Sequence, residues 1–213
     1  MKIAILTSLN QWFISYAKSL EEKIDNSKLF FNHKEIDKSY EIVFILSYHQ
    51  IIEEKYLKRH KHNIIVHESA LPNGKGWAPM FWQVLEGKNE ITFTMFEASV
   101  GVDSGDIYFQ RNLILTGYEL NHQLREKQAN MIMTMCIDFI DSYDIFKTSK
   151  KQIGIESFYR KRVPKDSELD INKTIKEQFN LLRIVDNVEY PAFFYIDGHK
   201  YLLKIEKDEN ENR

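Results

Sequence analysis

The sequence has too few cysteines and too little excess charge for several common classes of protein. Cys136 is the only cysteine among the 213 residues, so neither an internal disulfide nor a multi-cysteine metal cluster can form within the chain. The formal net charge is -2, from 29 basic and 31 acidic side chains. Nucleic-acid-binding proteins usually carry a basic excess, because phosphate contacts dominate their affinity. We therefore expect small-molecule ligands and no nucleic-acid partner.

Long apolar segments are also absent. No apolar run reaches the roughly 18 residues that a membrane span requires, and the chain begins with the strand-like run Lys2 to Thr7 rather than with a signal peptide. These absences predict a soluble, cytoplasmic protein that binds no membrane. Hydrophobic side chains nevertheless make up 43% of the chain, which excludes wholesale disorder. The basic run Lys58 to His62 is predicted to lie on the solvated surface.

Short apolar runs alternate with amphipathic segments through the first half of the chain. This alternation predicts an α/β fold, with a Rossmann-like, mostly parallel sheet covered by helices on both faces. The predicted strands cover residues 2–7, 30–36, 40–46, 63–67, 90–96 and 106–115, and the predicted helices cover residues 10–24, 50–59, 78–86 and 119–143.

The composition changes at a Lys-rich connector near residue 150. We predict a catalytic domain at residues 1–148 and a small α+β extension at residues 149–213. Within the extension, the pattern favours a helix at 171–185 and a β-hairpin at 192–205. The charged tail at 206–213 is predicted to fray.

Several well-known functional motifs are missing. The first strand ends in Thr7-Ser8-Leu9-Asn10, which matches neither the dinucleotide fingerprint nor the P-loop. A Rossmann-like sheet without that loop is not expected to bind NAD in the usual way. No Gly-x-Ser-x-Gly elbow is present, which argues against an α/β-hydrolase. The seven histidines show no metal-binding spacing, and we predict no metal site.

Two segments carry side chains suited to catalysis. The first, residues 67–79, places His67 at the carboxyl end of a buried strand, before a loop with two glycines, a lysine and a tryptophan. The second, residues 102–107, is an acidic turn that contains Asp103. One loop, one helix and one strand separate them. We therefore expect the two side chains to meet at the same edge of the sheet, where ligands of such folds bind.

A histidine and a carboxylate that converge there suit acyl transfer to an amine. The imidazole can donate a hydrogen bond to the developing oxyanion, while the carboxylate orients it and helps to deprotonate the attacking nitrogen. Structural roles are equally open, because a histidine often only ends a strand and Asp-Ser-Gly-Asp is a frequent turn composition. In that structural interpretation, Trp77, Phe81 and Trp82 pack in the core. By themselves these residues indicate an α/β enzyme without naming its reaction.

Together the two segments resemble the folate-dependent formyltransferase family. Its members carry a strand that ends in Asn-x-His, then a Ser-Leu-Leu-Pro and glycine loop, and later an Asp-x-Gly turn. The match extends over roughly residues 1–145. The matching residues are His67, Ser69, Leu71, Pro72 and Gly76 for the first motif and Asp103, Ser104, Gly105 and Asp106 for the second.

The resemblance implies N10-formyltetrahydrofolate as the co-substrate. It also implies that His67 stabilises the tetrahedral oxyanion and that Asp103 acts as base and orienter. The loop Ser47 to Ile52 lies where family members run a loop along the pterin, and a second folate-binding loop is expected at 97–103. The residues expected to bind the folate are Tyr48, Ile51, Ile52, Ala98 and Val102.

Two further segments are similar to the nucleotide-sugar N-formyltransferases. These are the loop Leu-Pro-x-Gly-Lys-Gly-Trp at 71–77 and the run Tyr-Arg-Lys-Arg-Val-Pro-Lys-Asp at 159–166. This similarity implies a nucleotide-linked 4-amino-4,6-dideoxy sugar as the acceptor, including the pseudaminic-acid branch, in surface glycan biosynthesis. Lys75 and Arg162 are candidates for the diphosphate, and Trp77 or Tyr159 for stacking on the base or sugar. Ser69 is also expected to contact this substrate.

One residue of the family pattern is absent. The asparagine two residues before the histidine is Ile65 here, and residues i and i+2 of a strand share a face. Asn63 shares that face, but it lies about 13 Å from His67 and cannot substitute. Losing one oxyanion donor costs on the order of 10² to 10³ in turnover, unless another group replaces it.

Three other functions stay open on the sequence. They are a folate-dependent hydrolase that releases formate, a folate- or nucleotide-binding module without turnover, and a formyltransferase that acts on another small amine. Ile65 favours the inactive module, whereas the presence of both His67 and Asp103 opposes it.

Overall fold

A computed structural model describes residues 1–208 of the chain. The strands are β1 Ile3–Leu6, β2 Ser27–Phe30, β3 Ile42–Ile45, β4 His62–His67, β5 Lys75–Gly76, β6 Glu90–Glu97, β7 Ile107–Ile114, β8 Phe158–Tyr159, β9 Ala192–Ile196 and β10 His199–Leu203. The helices are α1 Ile14–Lys23, α2 Glu54–Leu57, α3 Pro79–Leu85, α4 Asn121–Asp141, α5 Tyr143–Phe146 and α6 Phe179–Ile184.

A six-stranded sheet in the order β2-β1-β3-β4-β6-β7 forms the centre of the fold. The first four of these strands are parallel, whereas β6 and β7 run antiparallel to their neighbours. The predicted α/β fold with a mostly parallel sheet is therefore confirmed. The carboxyl ends of β1, β3 and β4 lie at one edge, where sheets of this kind bind their ligands.

Alternate side chains of the parallel strands enter two different hydrophobic clusters. The first hydrophobic cluster contains Ile3 and Ile5 and lies under α1, α3 and α4. The second hydrophobic cluster contains Ala4 and Leu6 and lies on the opposite face, where Leu57 of α2 packs against it. Each fully buried large aliphatic side chain contributes about 1.5–3 kcal/mol to folding. Burial on both faces explains the uninterrupted apolar runs by which these strands were predicted.

Several element boundaries differ from the predicted ones. Helix α1 begins only at Ile14, since residues 9–10 and 12–13 form turns, and α2 occupies only Glu54–Leu57 of the predicted range 50–59. The strand predicted at 30–36 is displaced: β2 ends at Phe30 and a 3-10 turn occupies His33–Glu35. The long helix predicted at 119–143 matches α4 closely.

The C-terminal part packs against elements of the N-terminal part rather than standing apart from them. Strand β8 pairs with β5, and α6 contacts α3 and α4. The predicted hairpin is confirmed, since β9 and β10 pair in antiparallel fashion. The predicted helix at 171–185 is shorter, because residues 170–178 form turns before α6 begins. Most of the charged tail, at 209–213, lies outside the described residues.

Two side-chain predictions were wrong. Trp77 is 48% exposed instead of packing in the core, whereas Phe81 is buried as predicted. His62, expected in a solvated basic run, is buried at the start of β4, where its ring nitrogens bind the hydroxyls of Tyr108 and Tyr143. Within the described residues, every helix is too short or too polar to cross a membrane.

Candidate functional site

The structure brings His67 and Asp103 together at the carboxyl end of β4. His67 is the last residue of that strand, and Asp103 lies in the turn between β6 and β7. The Nε2 atom of His67 lies 3.7 Å from Oδ2 of Asp103, with side-chain exposures of 8% and 16%. The convergence predicted from their separation along the chain is therefore confirmed.

The His67 ring is held by one of its two nitrogens. Its Nε2 atom lies 2.9 Å from the carbonyl oxygen of Gly74. A carbonyl oxygen only accepts hydrogen bonds, so Nε2 carries a proton and donates it. The carboxylate of Asp103 supplies a second acceptor beside the same nitrogen. Among residues 1–208, no group forms a hydrogen bond with Nδ1 of His67, which leaves that atom for a ligand.

Asp103 adopts a conformation that few side chains occupy. Its φ is 46°, in the left-handed region that Asp tolerates better than most residues. From there its Oδ2 atom accepts a hydrogen bond of 2.8 Å from the backbone N–H of Gly76. Within the described part of the chain, Oδ1 has no hydrogen-bond partner. One carboxylate oxygen is thus anchored and the other is left for a ligand.

Two glycines of the site are required by close backbone approach. A Cβ on Gly76, whose φ is 98°, would lie 2.4 Å from the carbonyl oxygen of Tyr159. A Cβ on Gly105 would lie 1.6 Å from the carbonyl oxygen of Glu97. A side chain at Gly76 would therefore push β5 away from β8. A side chain at Gly105 would push the turn of Asp103 away from the end of β6.

Residues 150–159, which begin within the Lys-rich segment interpreted from sequence as a connector, form one wall of the site. The side-chain amide of Gln152 donates to the carbonyl oxygens of Asp103 and Gly105, both at 2.8 Å. The hydroxyl of Ser157 accepts a hydrogen bond of 2.8 Å from the backbone N–H of Gly74. These contacts span about 50 to 80 residues of sequence, and no local pattern signals them.

The two cations expected at a diphosphate are paired within the protein. The ammonium of Lys75, a residue only 2% exposed, lies 2.5 Å from a carboxylate oxygen of Glu156. The guanidinium of Arg162 donates to the carbonyl oxygens of Ile184 and Asp166. Burial lowers the pKa of Arg162. Each cation is thus engaged by oxygen acceptors of the protein itself.

The other residues expected at the substrate differ in exposure. The exposed ring of Trp77 meets His49 edge-on, with ring centroids 6.1 Å apart, and Lys161 lies over it at 5.0 Å. Tyr159 instead stacks on Trp82 at 6.2 Å. Ser69 is buried, and its hydroxyl has no hydrogen-bond partner among residues 1–208. Trp77 is thus the ring most open to a ligand.

The residues expected at the folate lie on two loops and on the second hydrophobic cluster. The Tyr48 hydroxyl lies 2.8 Å from Nδ1 of His33, while Ile52 and Ala98 pack against the second hydrophobic cluster. The remaining two are apolar and exposed, namely Ile51 at 92% and Val102 at 65%.

The position of the missing family asparagine is filled by packing. Ile65 pairs with Ile45 of β3 and Phe96 of β6 and packs against the second hydrophobic cluster. The side-chain amide of Asn63 donates a hydrogen bond of 2.9 Å to the carbonyl oxygen of Leu57. This contact directs Asn63 towards α2 and away from His67, as its spacing along the strand predicted.

Comparison with known proteins agrees with these features. Residues 20–140, more than half of the chain, match the formyl transferase family. The methionyl-tRNA formyltransferase of Lactobacillus johnsonii is 28% identical over 167 residues, which cover 76% of this chain and 52% of the relative. The chain spans about half the length of the curated relatives that it matches.

Solved structures share the fold at lower identity. Methionyl-tRNA formyltransferase from Clostridium thermocellum is 18% identical, with a TM-score of 0.81 over 99% of this chain and 95% of its own. A sugar N-formyltransferase from Shewanella is 17% identical, with a TM-score of 0.69 and 98% of both chains covered. HypX from Aquifex aeolicus in complex with tetrahydrofolic acid is 14% identical, with a TM-score of 0.71 over 96% of this chain and 37% of its own. On the family match, this chain belongs to the formyl transferase family.

Proposed function

We propose that this protein transfers the formyl group of N10-formyltetrahydrofolate to an amine, with His67 and Asp103 as the catalytic residues. The observation that carries the proposal is their approach to 3.7 Å at the ligand-binding edge of the sheet. Each side chain is anchored by one polar atom and has another without a protein partner among residues 1–208. The family match and the solved complex of HypX with tetrahydrofolic acid support the choice of co-substrate.

His67 and Asp103 are each anchored at one atom, and the atom that stays available gives each side chain its own role in the reaction. Because Nε2 of His67 is engaged by Gly74 and Asp103, Nδ1 is the nitrogen that meets the formyl oxygen. In the protonated ring, Nδ1 donates to the oxyanion that forms when the amine attacks, and such donors act most strongly in a preorganised site. The carboxylate of Asp103 attracts the ammonium form of the acceptor and receives its proton through Oδ1.

Bond making and proton transfer balance over the whole reaction. The amine nitrogen forms a bond to the formyl carbon, and the bond from that carbon to N10 of the folate breaks. The acceptor ammonium loses one proton to Asp103 before the attack, and Asp103 later releases that proton to solvent. The attacking nitrogen loses a second proton after the attack, and N10 gains one proton as tetrahydrofolate leaves. No external oxidant or reductant is needed.

The folate is proposed to bind between two loops. Tyr48, Ile51 and Ile52 lie on the loop after β3, and Ala98 and Val102 lie on the loop after β6. The exposed apolar side chains at Ile51 and Val102 offer the surface that a pterin would cover. Burying such surface contributes roughly 25 cal/mol per Å².

For the acceptor, we infer a nucleotide-linked 4-amino-4,6-dideoxy sugar, the pseudaminic-acid precursors included. The exposed Trp77 ring can stack on a base or sugar face. The net charge of -2 disfavours a tRNA acceptor, although many sequence relatives are named methionyl-tRNA formyltransferases. A structural neighbour named as a sugar N-formyltransferase covers nearly the whole chain. Lys75 and Arg162 are not assigned to the diphosphate, because both are paired within the protein.

Single-turnover formyl transfer tests the catalytic assignment. We expect His67→Ala and Asp103→Asn each to slow the transfer by on the order of 10² to 10³, with folate binding retained. His199→Gln, a substitution in the exposed hairpin, should leave the rate unchanged. Normal rates in both site variants would refute the assignment.

A panel of acceptors tests the substrate class. Nucleotide amino sugars, simple amines and methionyl-tRNA are each incubated with the enzyme and formyl-folate, and products are identified by the mass of one added formyl group. We expect formylation of a nucleotide amino sugar. Formylation of methionyl-tRNA alone would contradict the sugar assignment, and formate release without any acceptor would indicate a hydrolase.

A further inference from the structure

The acidic turn that carries Asp103 is fastened from outside by one side chain. Gln152 follows an isolated bridge in which the backbone of Lys150 and Ile107 exchange hydrogen bonds of 2.7 and 2.8 Å. From there its amide nitrogen donates to the carbonyl oxygens of Asp103 and Gly105, both at 2.8 Å. A single NH₂ group thus binds two residues of the turn that are two positions apart.

Its two acceptors fix the orientation of the Gln152 amide. Both neighbours are carbonyl oxygens, which accept and never donate, so only the NH₂ end can lie between them. The turn that it holds includes Asp103 at a φ of 46°. Such a conformation is costly for a residue other than glycine and persists only where its surroundings impose it.

We propose that Gln152 is a positioning residue for the transfer reaction. It holds the backbone of Asp103 in the left-handed conformation from which the carboxylate reaches both the Gly76 N–H and the His67 ring. Gln152 acts through Asp103 and touches no reacting atom. This inference rests on the proposed function of Asp103, and it adds the part of the chain that places that carboxylate.

Two substitutions at Gln152 separate positioning from simple structural support. Gln152→Leu removes the donor and should lower kcat about 10- to 100-fold, the cost of a small misplacement of a catalytic group, with little change in KM. Gln152→Glu keeps the shape but donates only as the neutral acid. Its activity relative to the wild type should therefore rise as pH falls from about 8 to about 5.5, towards the acid range of a carboxyl group, whereas the Gln152→Leu deficit should not depend on pH.

A matched control is available in the C-terminal part. The amide nitrogen of Gln178 also donates to backbone carbonyl oxygens, those of Asp170, Lys173 and Thr174. It holds a turn that precedes α6 and contributes no bond to the Asp103 turn. Gln178→Leu should therefore leave kcat and its pH profile at wild-type values.

The backbone N–H of Gly76 gives a readout that does not require turnover. Its amide proton, bound to the Asp103 carboxylate, should shift upfield in NMR spectra of Asp103→Asn and, to a similar extent, of Gln152→Leu. If the wild type transfers no formyl group but this shift occurs, the proposed function fails, while the placement of the Asp103 carboxylate by Gln152 stands. An unchanged Gly76 resonance in a folded Gln152→Leu variant, or wild-type kcat in that variant, would overturn the inference.

Discussion

At the scale of single residues, Ile65 is the departure from the family pattern that bears on catalysis. Its side chain lies in the second hydrophobic cluster, between β3 and β6, on the strand face that also carries His67. Packed aliphatic atoms of Ile65 therefore lie where the family pattern has the hydrogen-bond donor of an asparagine. The described contacts leave Nδ1 of His67 without a partner among residues 1–208, and in the proposed mechanism the protonated ring donates from that atom to the oxyanion.

Restoring the missing amide should increase turnover. We expect Ile65→Asn to raise kcat about tenfold or more, since one oxyanion donor contributes on the order of 10². The same change should lower the free energy of unfolding by about 1–3 kcal/mol, because a polar group replaces packed aliphatic atoms. Ile65→Val, which adds no donor, is the control for packing alone. A well-folded Asn variant with unchanged kcat would contradict this role of position 65.

Gly76, a second single residue of the site, also affects the stability of the fold. We expect Gly76→Ala to lower the free energy of unfolding by about 3 kcal/mol or more, because its Cβ would collide with the backbone of Tyr159 at a positive φ. Gly198, with a φ of 81° in the hairpin and nothing within 4 Å of an added Cβ, provides the matched control. Urea denaturation of both alanine variants should show the smaller loss at Gly198, and equal losses would refute the steric argument.

At the scale of elements, the two ends of β4 hold different polar groups. His67 ends the strand at the candidate site, whereas His62 begins it between two tyrosines. The Tyr108 hydroxyl donates in turn to the carboxylate of Glu97. A tyrosine that donates to a carboxylate accepts from Nδ1–H of His62. In the neutral ring, which burial favours, Nε2 then accepts from the Tyr143 hydroxyl.

Burial, reinforced by Lys61, lowers the pKa of His62 below its ordinary value of 6.5. The unfolded chain therefore binds a proton at a pH where the folded one does not, and stability is lost as pH falls below about 6.5. His62→Gln, whose amide can replace both hydrogen bonds, removes this titration. Between about pH 7.5 and 5.5, the wild-type Tm should fall a few degrees further than that of the variant, the size that about 1 kcal/mol produces in a domain of this length.

The exposed His199 provides a control for that measurement. His199→Gln should keep the pH dependence of the wild type. Parallel Tm curves for the wild type and His62→Gln would show that His62 titrates alike in the folded and unfolded chains.

The elements that sequence predicted well are those whose signal is local. Strands β1, β3 and β4 are buried on both faces, so each appears in the sequence as an apolar run that predicts a strand directly. Helix α6 was predicted too long because Gln178 stabilises turns at 170–178 through its hydrogen bonds. His67 and Asp103 were found because strand ends converge by topology. Gln152 was missed, since its partners lie nearly 50 residues away in the chain.

At the scale of the whole molecule, the predicted boundary at residue 148 cuts through the contacts of the site. Gln152, Ser157 and Tyr159 lie beyond it and hold the loops of Asp103, Gly74 and Trp77. The end of β4 and the turn after β6 carry the two proposed catalytic side chains, and the segment after residue 148 holds the loops around them. The described 1–208 region is therefore best treated as one functional unit.

A double-mutant cycle on His67 and Asp103 tests most directly whether the two side chains act together on one carbonyl. It compares the kcat/KM for formyl transfer of the wild type, His67→Ala, Asp103→Asn and the double variant. Residues that act as a unit have strongly non-additive effects, so the double variant should lose no more than the worse single variant. Losses that multiply would show that the two side chains act independently.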